Sequence, residues 1–423
     1  MEKENVQFRK NFIWNIIGTG FSAFNSLFFM IVVTRINGVN EAGIFTLAFS
    51  TACILYMIGI YAGRVYQVTE NDSEISHKDY IINRFITCGL TLILVITFTL
   101  IRQYDIYKSS IFIILAIYKS LEAFSEVLYG ILQKNNMLEK VGKSAFFKAI
   151  IGIIIFVVID IITKKMLISC ISLVVVNLII ILFYDTFNIK QFISKDETIN
   201  KKSILRIFRN GFFTFAIAFL GVYLTNAQKY AIDNFLTENI QAIFGIIIMP
   251  ATVMGLLAQF IIHPFLNQLF NNYNNKEYEE IKKMIFKIMI FVIGVGGICC
   301  ILGYLLGTPV LGLLYNIDLH EYKLALLIIL MGATLYTIAN IISSILVTMR
   351  YTFIQFILSL IVVLIEYIIS SLLVQKFEIM GATYAYLITM IVYCITYVIM
   401  VFLLINKKIK EGENKNEHIV HSK

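Results

Sequence analysis

Long apolar stretches, separated by short polar ones, run through almost the whole chain. Ile150–Ile162, Leu167–Phe183 and Phe356–Val374 approach or reach the length that a helix needs to cross a bilayer. Because lipid offers no partner to free backbone groups, such stretches predict helices. The pattern therefore predicts an all-α integral membrane protein with about twelve transmembrane helices, at 11–34, 43–63, 85–101, 110–130, 146–163, 167–184, 211–232, 242–267, 285–306, 323–347, 352–374 and 382–405.

The positions of lysine and arginine predict the orientation of these spans. With the N-terminus inside, cytoplasmic segments hold 26 of them and outer segments hold seven, while Lys119 and Lys229 remain inside spans, which accounts for all 35. Cytoplasmic loops carry an excess of such residues. The count predicts a multi-pass protein of the cell membrane with both termini in the cytoplasm.

Composition supports the bilayer environment and narrows the function. Hydrophobic residues make up 59% of the 423 residues, charged residues 15%, and the mean hydropathy is +0.81. Soluble domains have roughly 45–50% apolar and 25% charged residues. The net charge of +8 follows from the topology, although the basic segment 185–210 could also lie along anionic lipid. The chain has no soluble domain in which basic residues are interleaved with base-stacking aromatics, so we expect no nucleic-acid partner.

The basic segment in the middle of the chain divides the spans into two sets of six. Both sets then enter the membrane from the same side, as parallel repeats of secondary transporters do. Sliding one half over the other by 199 residues places Arg64 opposite His263, each at a cytoplasmic span end, where an anchor or a packing role is also open. The predicted parts are an N-terminal lobe at 1–184, a cytoplasmic linker at 185–210, a C-terminal lobe at 211–405 and a cytoplasmic tail at 406–423.

Lys119, Glu122 and Glu126 are three ionisable residues in the otherwise apolar stretch Ile111–Leu132. On a helix they lie at about 0°, 300° and 340°, so they share one narrow face. A charge at bilayer depth is unfavourable by a few kcal/mol or more unless it meets a partner or a wet cavity. The spacing predicts that this face looks into a polar interior.

Further ionisable residues lie in or beside predicted spans. Lys229 and Asp233 are four residues apart near the outer end of the predicted span 211–232 and could pair along one face, for structure or for substrate. Glu366 in span 352–374 has no cation nearby in sequence. It must find one across the bundle, be protonated, or line water, so it is a candidate coupling site. Pro250 and Pro264 bracket span 242–267 and predict a bend.

Other chemistry has little support in the sequence. All six cysteines lie within spans without metal-ligand spacing, which favours packing roles. No Walker A motif and no nucleophile set is present, and no loop is long enough to fold as a catalytic domain. We therefore expect neither an enzyme nor a metal or cofactor site, with H⁺ or Na⁺ as the possible coupling ion.

Four stretches, in this order on these spans, resemble the polysaccharide flippases of the multidrug/oligosaccharidyl-lipid/polysaccharide exporter superfamily, and the match covers most of the chain. In place of an expected arginine before proline, this chain has His263-Pro264. The stretches are Trp14-Asn15-x-x-Gly18 with 33–36 and 41–45; 64–69; Lys119-x-x-Glu122-x-x-Ser125-Glu126-x-x-Tyr129-Gly130-x-x-Gln133-Lys134; and Asn226-x-x-Lys229 to Asp233 with 241–245 and Met249-Pro250.

The resemblance implies a MATE-like fold of two six-helix lobes around a partly cationic cavity. It also implies translocation of an undecaprenyl-diphosphate-linked oligosaccharide for surface polysaccharide biosynthesis, alongside the polymerase and glycosyltransferases of the pathway. Alternatives are a multidrug cation exporter of the same superfamily and a membrane glycosyltransferase or polymerase. On the first reading the candidate substrate-binding residues are Arg64, Lys119, Lys229 and His263, and the candidate coupling or gating residues are Glu122, Glu126, Asp233 and Glu366.

Overall fold

The structure is a computed structural model that describes residues 2–61, 63–69, 75–193 and 197–421, except for the side chains of 2–6, 65, 256–264, 266–267 and 412–421. Within these residues the chain forms α-helices, with a few π and 3₁₀ turns and no strand. The helices are α1 Glu2–Ile36, α2 Val39–Ile60, α3 Gly63–Thr69, α4 His77–Ile101, α5 Ile106–Lys134, α6 Leu138–Thr163, α7 Met166–Ile180, α8 Thr186–Ile189, α9 Lys201–Leu224, α10 Ala227–Phe235, α11 Glu238–Ile247, α12 Met249–Asn274, α13 Tyr278–Leu302, α14 Thr308–Tyr315, α15 Lys323–Thr348 and α16 Thr352–His421.

The predicted class, an all-α membrane protein, is confirmed. Ten helical segments of the described chain are long and apolar enough to cross a bilayer. The last of them, Thr352–Glu411, contains a break at Glu378, whose φ of 50° and ψ of −128° are not helical. It therefore covers the predicted spans 352–374 and 382–405. Helix α5 is not among these ten segments because it is more highly charged. Any 18 consecutive residues of it include Lys119 and Glu122 together with Lys108 or Glu126.

The predicted seventh span, 211–232, is wrong at its outer end. Helix α9 ends at Leu224, and Ala227 begins the separate nine-residue helix α10. Asn226 lies between them with a φ of −122°. Threonine and asparagine side chains compete for backbone hydrogen bonds and so favour helix ends over helix interiors. Lys229 and Asp233 therefore lie on α10 and not on a continuous seventh span.

The predicted eighth span, 242–267, is also divided. Helix α11 ends at Ile247 and α12 begins at Met249, with Pro250 in its first turn. Proline lacks the amide proton that a helix interior requires but fits the first turn, where that proton has no partner. Pro250 thus starts a new helix. Pro264 lies outside the described side chains.

The chain forms two compact units. The first comprises Met1–Tyr223 with Glu238–Ala242, and the second comprises Leu224–Thr237 with Ile243–Lys423. Compactness alone does not define a repeat, so the lobes at 1–184 and 211–405 stay a prediction. Helix α9, assigned by sequence to the C-terminal lobe, packs within the first unit: Tyr61 donates a hydrogen bond to the carbonyl of Phe208 at 2.9 Å and stacks on Phe215.

Glycines bring α1 and α6 of the first unit into direct backbone contact. A Cβ added to Gly18 would lie 2.2 Å from the carbonyl oxygen of Gly142, and one added to Gly142 would lie 2.1 Å from that of Trp14. Small residues allow this approach, on which helix packing in membranes depends. The contact fixes the two helices that form much of the cavity wall described next.

Candidate functional site

The first unit contains a cavity of about 160 Å³ with an unusually polar wall for a membrane protein. Helices α1, α2, α3, α5 and α6 all contribute to it. A transmembrane site of this kind is a functional candidate, because polar groups at bilayer depth are rare unless they face a wet interior. Its lining residues are Asn15, Thr19, Ser22, Asn25, Tyr56, Arg64, Lys119, Glu122, Ser125, Glu126, Tyr129, Val141, Gly142, Ala145, Lys148 and Ala149.

The charged face of α5 forms one wall of this cavity, and all three residues singled out by their spacing line it. Lys119 and Glu122 form an ion pair, with 2.6 Å between Nζ and Oε2. The Lys119 ammonium also lies 4.9 Å from the ring centre of Phe49 and 5.2 Å from that of Tyr118. Aromatic faces attract cations, so Lys119 is held on two sides.

Arg64 reaches the same cavity from α3, the short helix that follows α2. Its Nε lies 3.6 Å from Oε2 of Glu126, and both side chains are about one-quarter exposed. This separation is an ion pair without a hydrogen bond, since hydrogen bonds of this type are about 2.7–2.9 Å long. Arg64 and Glu126 are therefore the more loosely held of the two pairs on the cavity wall.

Lys148 also lines the cavity. It belongs to a buried hydrogen-bonded cluster, which we call the Lys148 cluster: Ser125, Tyr129, Ser144, Lys148 and Asp185. The Lys148 ammonium donates to Asp185 at 2.5 Å, to Ser125 at 2.6 Å and to Tyr129 at 3.1 Å. Ser144 donates to the other oxygen of Asp185 at 2.5 Å. An ammonium has three protons and a hydroxyl has one, so these bonds use all the protons of Lys148 and Ser144.

The remaining bonds of the cluster follow from this count. Tyr129 lies 2.8 Å from Ser144 and must be the donor, because Ser144 already donates to Asp185. Ser125 donates to the carbonyl of Leu121 at 3.0 Å. The cluster is thus closed and electrically neutral, and it joins α5, α6 and the π-helical turn that ends at Asp185. Satisfied networks of this kind fix one arrangement of their helices.

Sequence reasoning missed this cluster. The count of basic residues places Lys148 among the cytoplasmic charges, and the predicted linker 185–210 begins at Asp185. The structure instead buries both, with exposures of 7% and 0%. A signal was present: Lys148 is the third residue of the predicted span 146–163, and Asp185 directly follows the apolar run 167–184.

Among the described side chains of the second unit, one carboxylate is fully buried, that of Glu366. Its Oε1 accepts hydrogen bonds from Gln228 at 2.7 Å and from Ser370, and its Oε2 accepts one from Thr389. All three donors are neutral. Sequence reasoning left three environments open for Glu366, and among the described residues the structure gives it hydrogen-bond donors without an ion pair.

The other predicted site residues are placed as follows. Lys229 lies on α10 and donates a hydrogen bond to the Asn226 side chain at 3.0 Å. Asp233 lies one turn further along the same helix, and its pairing with Lys229 stays a prediction. His263 falls within α12, but its side chain lies outside the described residues, so its predicted place opposite Arg64 is a prediction too.

Comparison with known proteins supports the resemblance drawn from the sequence motifs. No family model matches the chain. It is 25% identical over 397 residues to the capsular polysaccharide biosynthesis protein CapF of Staphylococcus aureus, a match that covers 92% of this chain and 98% of CapF. That match runs through both units and is not confined to the apolar helices of one of them.

Solved structures show the same fold. An inward-facing multidrug resistance MATE family transporter of the MOP superfamily matches with a TM-score of 0.69 at 11% identity, over 94% of this chain and 99% of that one. The lipid II flippase MurJ in an inward closed conformation also gives 0.69, at 16% identity, over 93% and 90%. The chain is thus a multi-pass membrane protein with the MATE-like fold. Together with the CapF match, this confirms the resemblance to the flippases of that superfamily.

Proposed function

We propose that the chain is a flippase that moves an undecaprenyl-diphosphate-linked oligosaccharide across the cytoplasmic membrane for surface polysaccharide biosynthesis. The observation that carries the proposal is the cavity inside the first unit, which offers cations and neutral polar groups at bilayer depth. A lipid-linked sugar needs both, because its diphosphate is anionic and its glycan is polar, while its lipid tail can stay in the bilayer. The names of CapF and MurJ, a capsule biosynthesis protein and a lipid flippase, agree with this substrate class.

Arg64 is the proposed first contact of the diphosphate. Three cations and two carboxylates line the cavity, and Asp185 behind it neutralises Lys148. The charges that line the cavity are therefore balanced, with Glu122 and Glu126 compensating Lys119 and Arg64. An arriving diphosphate would compete with Glu126 for Arg64, since a guanidinium binds phosphate through paired hydrogen bonds. The contact between Arg64 and Glu126 is 3.6 Å long, so the diphosphate should displace Glu126 from Arg64 more easily than it displaces Glu122 from Lys119, where the contact is 2.6 Å.

This exchange suggests how transport is coupled to an ion. Once the diphosphate holds Arg64, Glu126 loses its partner and becomes a site for H⁺ or Na⁺, because a carboxylate without compensation in a membrane is unfavourable. Glu366 in the second unit, which has neutral donors around it, is the other proposed coupling residue. Lys229, Asp233 and His263 keep their proposed roles as further substrate and coupling residues.

The substitution Arg64→Gln tests the proposal. Hydrogen bonds to charged groups contribute about 1.5–3 kcal/mol, so affinity for undecaprenyl diphosphate should fall by about 10- to 150-fold. Surface polysaccharide should be lost while the protein remains in the membrane, and lipid-linked repeat units should accumulate on the inner leaflet. Arg64→Lys, which keeps the charge, should retain part of both. Lys283→Gln, which removes a well-exposed cation from a helical pair with Glu280, is the matched control.

Normal polymer from cells that carry Arg64→Gln would contradict this assignment. The cavity carboxylates and the MATE similarity keep a multidrug cation exporter as the second candidate. That function predicts altered drug sensitivity, with unchanged polysaccharide, when Glu122 and Glu126 are neutralised. Sugar transfer by the purified protein would point instead to a glycosyltransferase or polymerase.

A further inference from the structure

One face of α1 carries uncharged polar residues through an otherwise apolar span. Asn15, Thr19, Ser22 and Asn25 fall within about 120° of one another at 100° per residue, and they extend over about 15 Å of helix. All four line the cavity of the first unit. The neighbouring Phe21, Phe24 and Phe28 lie on other faces of α1 and are exposed. The polar face is thus separate from the charged wall that α5 provides.

Helix packing accounts for only part of the hydrogen-bonding capacity of this face, through a side-chain hydrogen bond between Asn25 and Tyr118 of α5. Asn25 is 7% exposed, yet its Oδ1 has no hydrogen-bond partner among the described residues. A buried amide oxygen left in this way is unfavourable by about 1–3 kcal/mol. Thr19 bonds to the carbonyl of Asn15 within its own helix, and Ser22 reaches the carbonyl of Ala145 at 3.4 Å, near the limit for a hydrogen bond. The face therefore retains capacity for a ligand.

The chemistry of the face indicates what that ligand is. Asparagine amides and serine or threonine hydroxyls both donate and accept hydrogen bonds and carry no charge. They match the hydroxyl groups of a sugar, which also donate and accept, and they lack the charge that would favour a diphosphate or an organic cation. We propose that the α1 face of Asn15, Thr19, Ser22 and Asn25 binds the glycan of the substrate through its hydroxyl groups, apart from the anionic headgroup at Arg64.

This inference rests on the proposed function and deepens it, because it divides the substrate between two walls of one cavity. The glycan faces α1 and the diphosphate faces Arg64 and Lys119. The division makes a prediction that a single undivided site does not. Removing polar groups from α1 should weaken binding only of ligands that carry the glycan, whereas removing the charge of Arg64 should weaken binding of every ligand that carries the diphosphate.

The test compares two probes on the purified full-length protein in lipid nanodiscs. One is undecaprenyl diphosphate, and the other is the lipid-linked repeat unit extracted from cells that lack this gene. The double variant Asn15→Leu, Asn25→Leu should lower affinity for the lipid-linked repeat unit about tenfold, the loss of one to two neutral hydrogen bonds. Its affinity for undecaprenyl diphosphate should stay that of the wild type. Arg64→Gln should weaken binding of both probes.

Two controls separate recognition from folding. Asn25→Ser keeps a donor and an acceptor and should retain most of the affinity, while Phe24→Leu changes the adjacent exposed position and should have no effect. Equal losses for both probes, or no loss for either, would overturn the assignment of the glycan to α1 and leave the proposed function in place. If the wild-type protein binds neither probe, the proposed function fails and this inference with it.

Discussion

Asp185 in the first unit and Glu366 in the second are both completely buried carboxylates, but they are satisfied in different ways. Asp185 has a cation, Lys148, at 2.5 Å and a hydroxyl on its other oxygen. Among the described residues, the donors to Glu366 are an amide and two hydroxyls. A buried charge without a countercharge is far less favourable than a paired one. The same residue class is thus permanently compensated in one unit and dependent on neutral donors in the other.

The difference assigns distinct tasks to the two residues. Asp185 cannot change its charge without breaking the Lys148 cluster, so its effect is on structure: it holds α5, α6 and the π-helical turn together behind the cavity. Glu366 can gain a proton or a small cation without breaking an ion pair. In a transporter that uses H⁺ or Na⁺, we expect the carboxylate without a countercharge, Glu366, to bind the coupling ion.

Breaking the Lys148 cluster should give the largest effect. Lys148→Met leaves Asp185 buried without a countercharge, and removing one member of a buried pair destabilises by about 3–5 kcal/mol. The midpoint of thermal unfolding in detergent should fall accordingly. Replacing both partners, by Lys148→Met with Asp185→Leu, should recover most of the lost stability, since an apolar pair of similar volume is often as stable as the ion pair.

A double variant no more stable than Lys148→Met alone would show that charge compensation is not what distinguishes Asp185 from Glu366. The cluster would then hold its helices through Ser125, Tyr129 and Ser144 and not through charge compensation. Asp185→Asn is a useful third variant, because it preserves shape while removing the countercharge of Lys148. It should be nearly as destabilising as Lys148→Met.

The sequence predicts the site only where local spacing suffices. The face of Lys119, Glu122 and Glu126 is a property of one helix, so helical periodicity is enough to find it. The pairing of Glu126 with Arg64 depends on the turn at Tyr61, whose φ of 42° redirects the chain before α3. Periodicity carries no information on such a turn. Helical spacing identified Glu126, and the shift between the two halves identified Arg64, but neither predicted that the two residues pair.

Long-range partners explain most of what the sequence left out. Counting Lys148 as a cytoplasmic cation uses its nearness to a span end, but its burial depends on Asp185, 37 residues away. Gln228 and Thr389 reach Glu366 from 138 and 23 residues away. The break at Thr225 and Asn226 was visible only as a weak local signal inside an apolar run. The apolar spans were easier to predict than these contacts, because each depends on its own length and hydropathy, although the predicted seventh and eighth spans are divided.

Glu366→Gln should give an effect of intermediate size on stability and a specific one on transport. Glutamine has the same volume and can still accept from two of the three donors, so stability should fall by about 1–2 kcal/mol. The variant cannot take up a proton or balance a cation. Translocation of the lipid-linked repeat unit in reconstituted vesicles should therefore lose its dependence on the pH or Na⁺ gradient. Ser370→Ala, which removes one donor and keeps the carboxylate, is the matched control.

A response to both gradients that equals the wild type would remove Glu366 from the coupling mechanism. In that case Glu126, released from Arg64 by the diphosphate, would be the remaining candidate in the described part of the cavity. Comparing Glu126→Gln with Glu366→Gln under the same gradients therefore identifies which unit senses the ion.

The smallest effect on stability is expected at Glu122, whose ion pair with Lys119 faces the cavity, in contrast to the buried pair of Lys148 and Asp185. The Lys119–Glu122 pair faces the cavity with side-chain exposures of 16% and 26%. In Glu122→Gln the amide oxygen can still accept from Lys119, and the rings of Phe49 and Tyr118 remain beside the ammonium. Stability should therefore change by about 1 kcal/mol or less. Affinity for undecaprenyl diphosphate should rise, because the positive charge of Lys119 no longer has a carboxylate beside it that competes with the diphosphate. If Glu122→Gln is destabilised as much as Lys148→Met, the Lys119–Glu122 pair contributes as much to stability as the buried Lys148–Asp185 pair. The distinction between structural ion pairs and ion pairs that the substrate displaces would then be wrong.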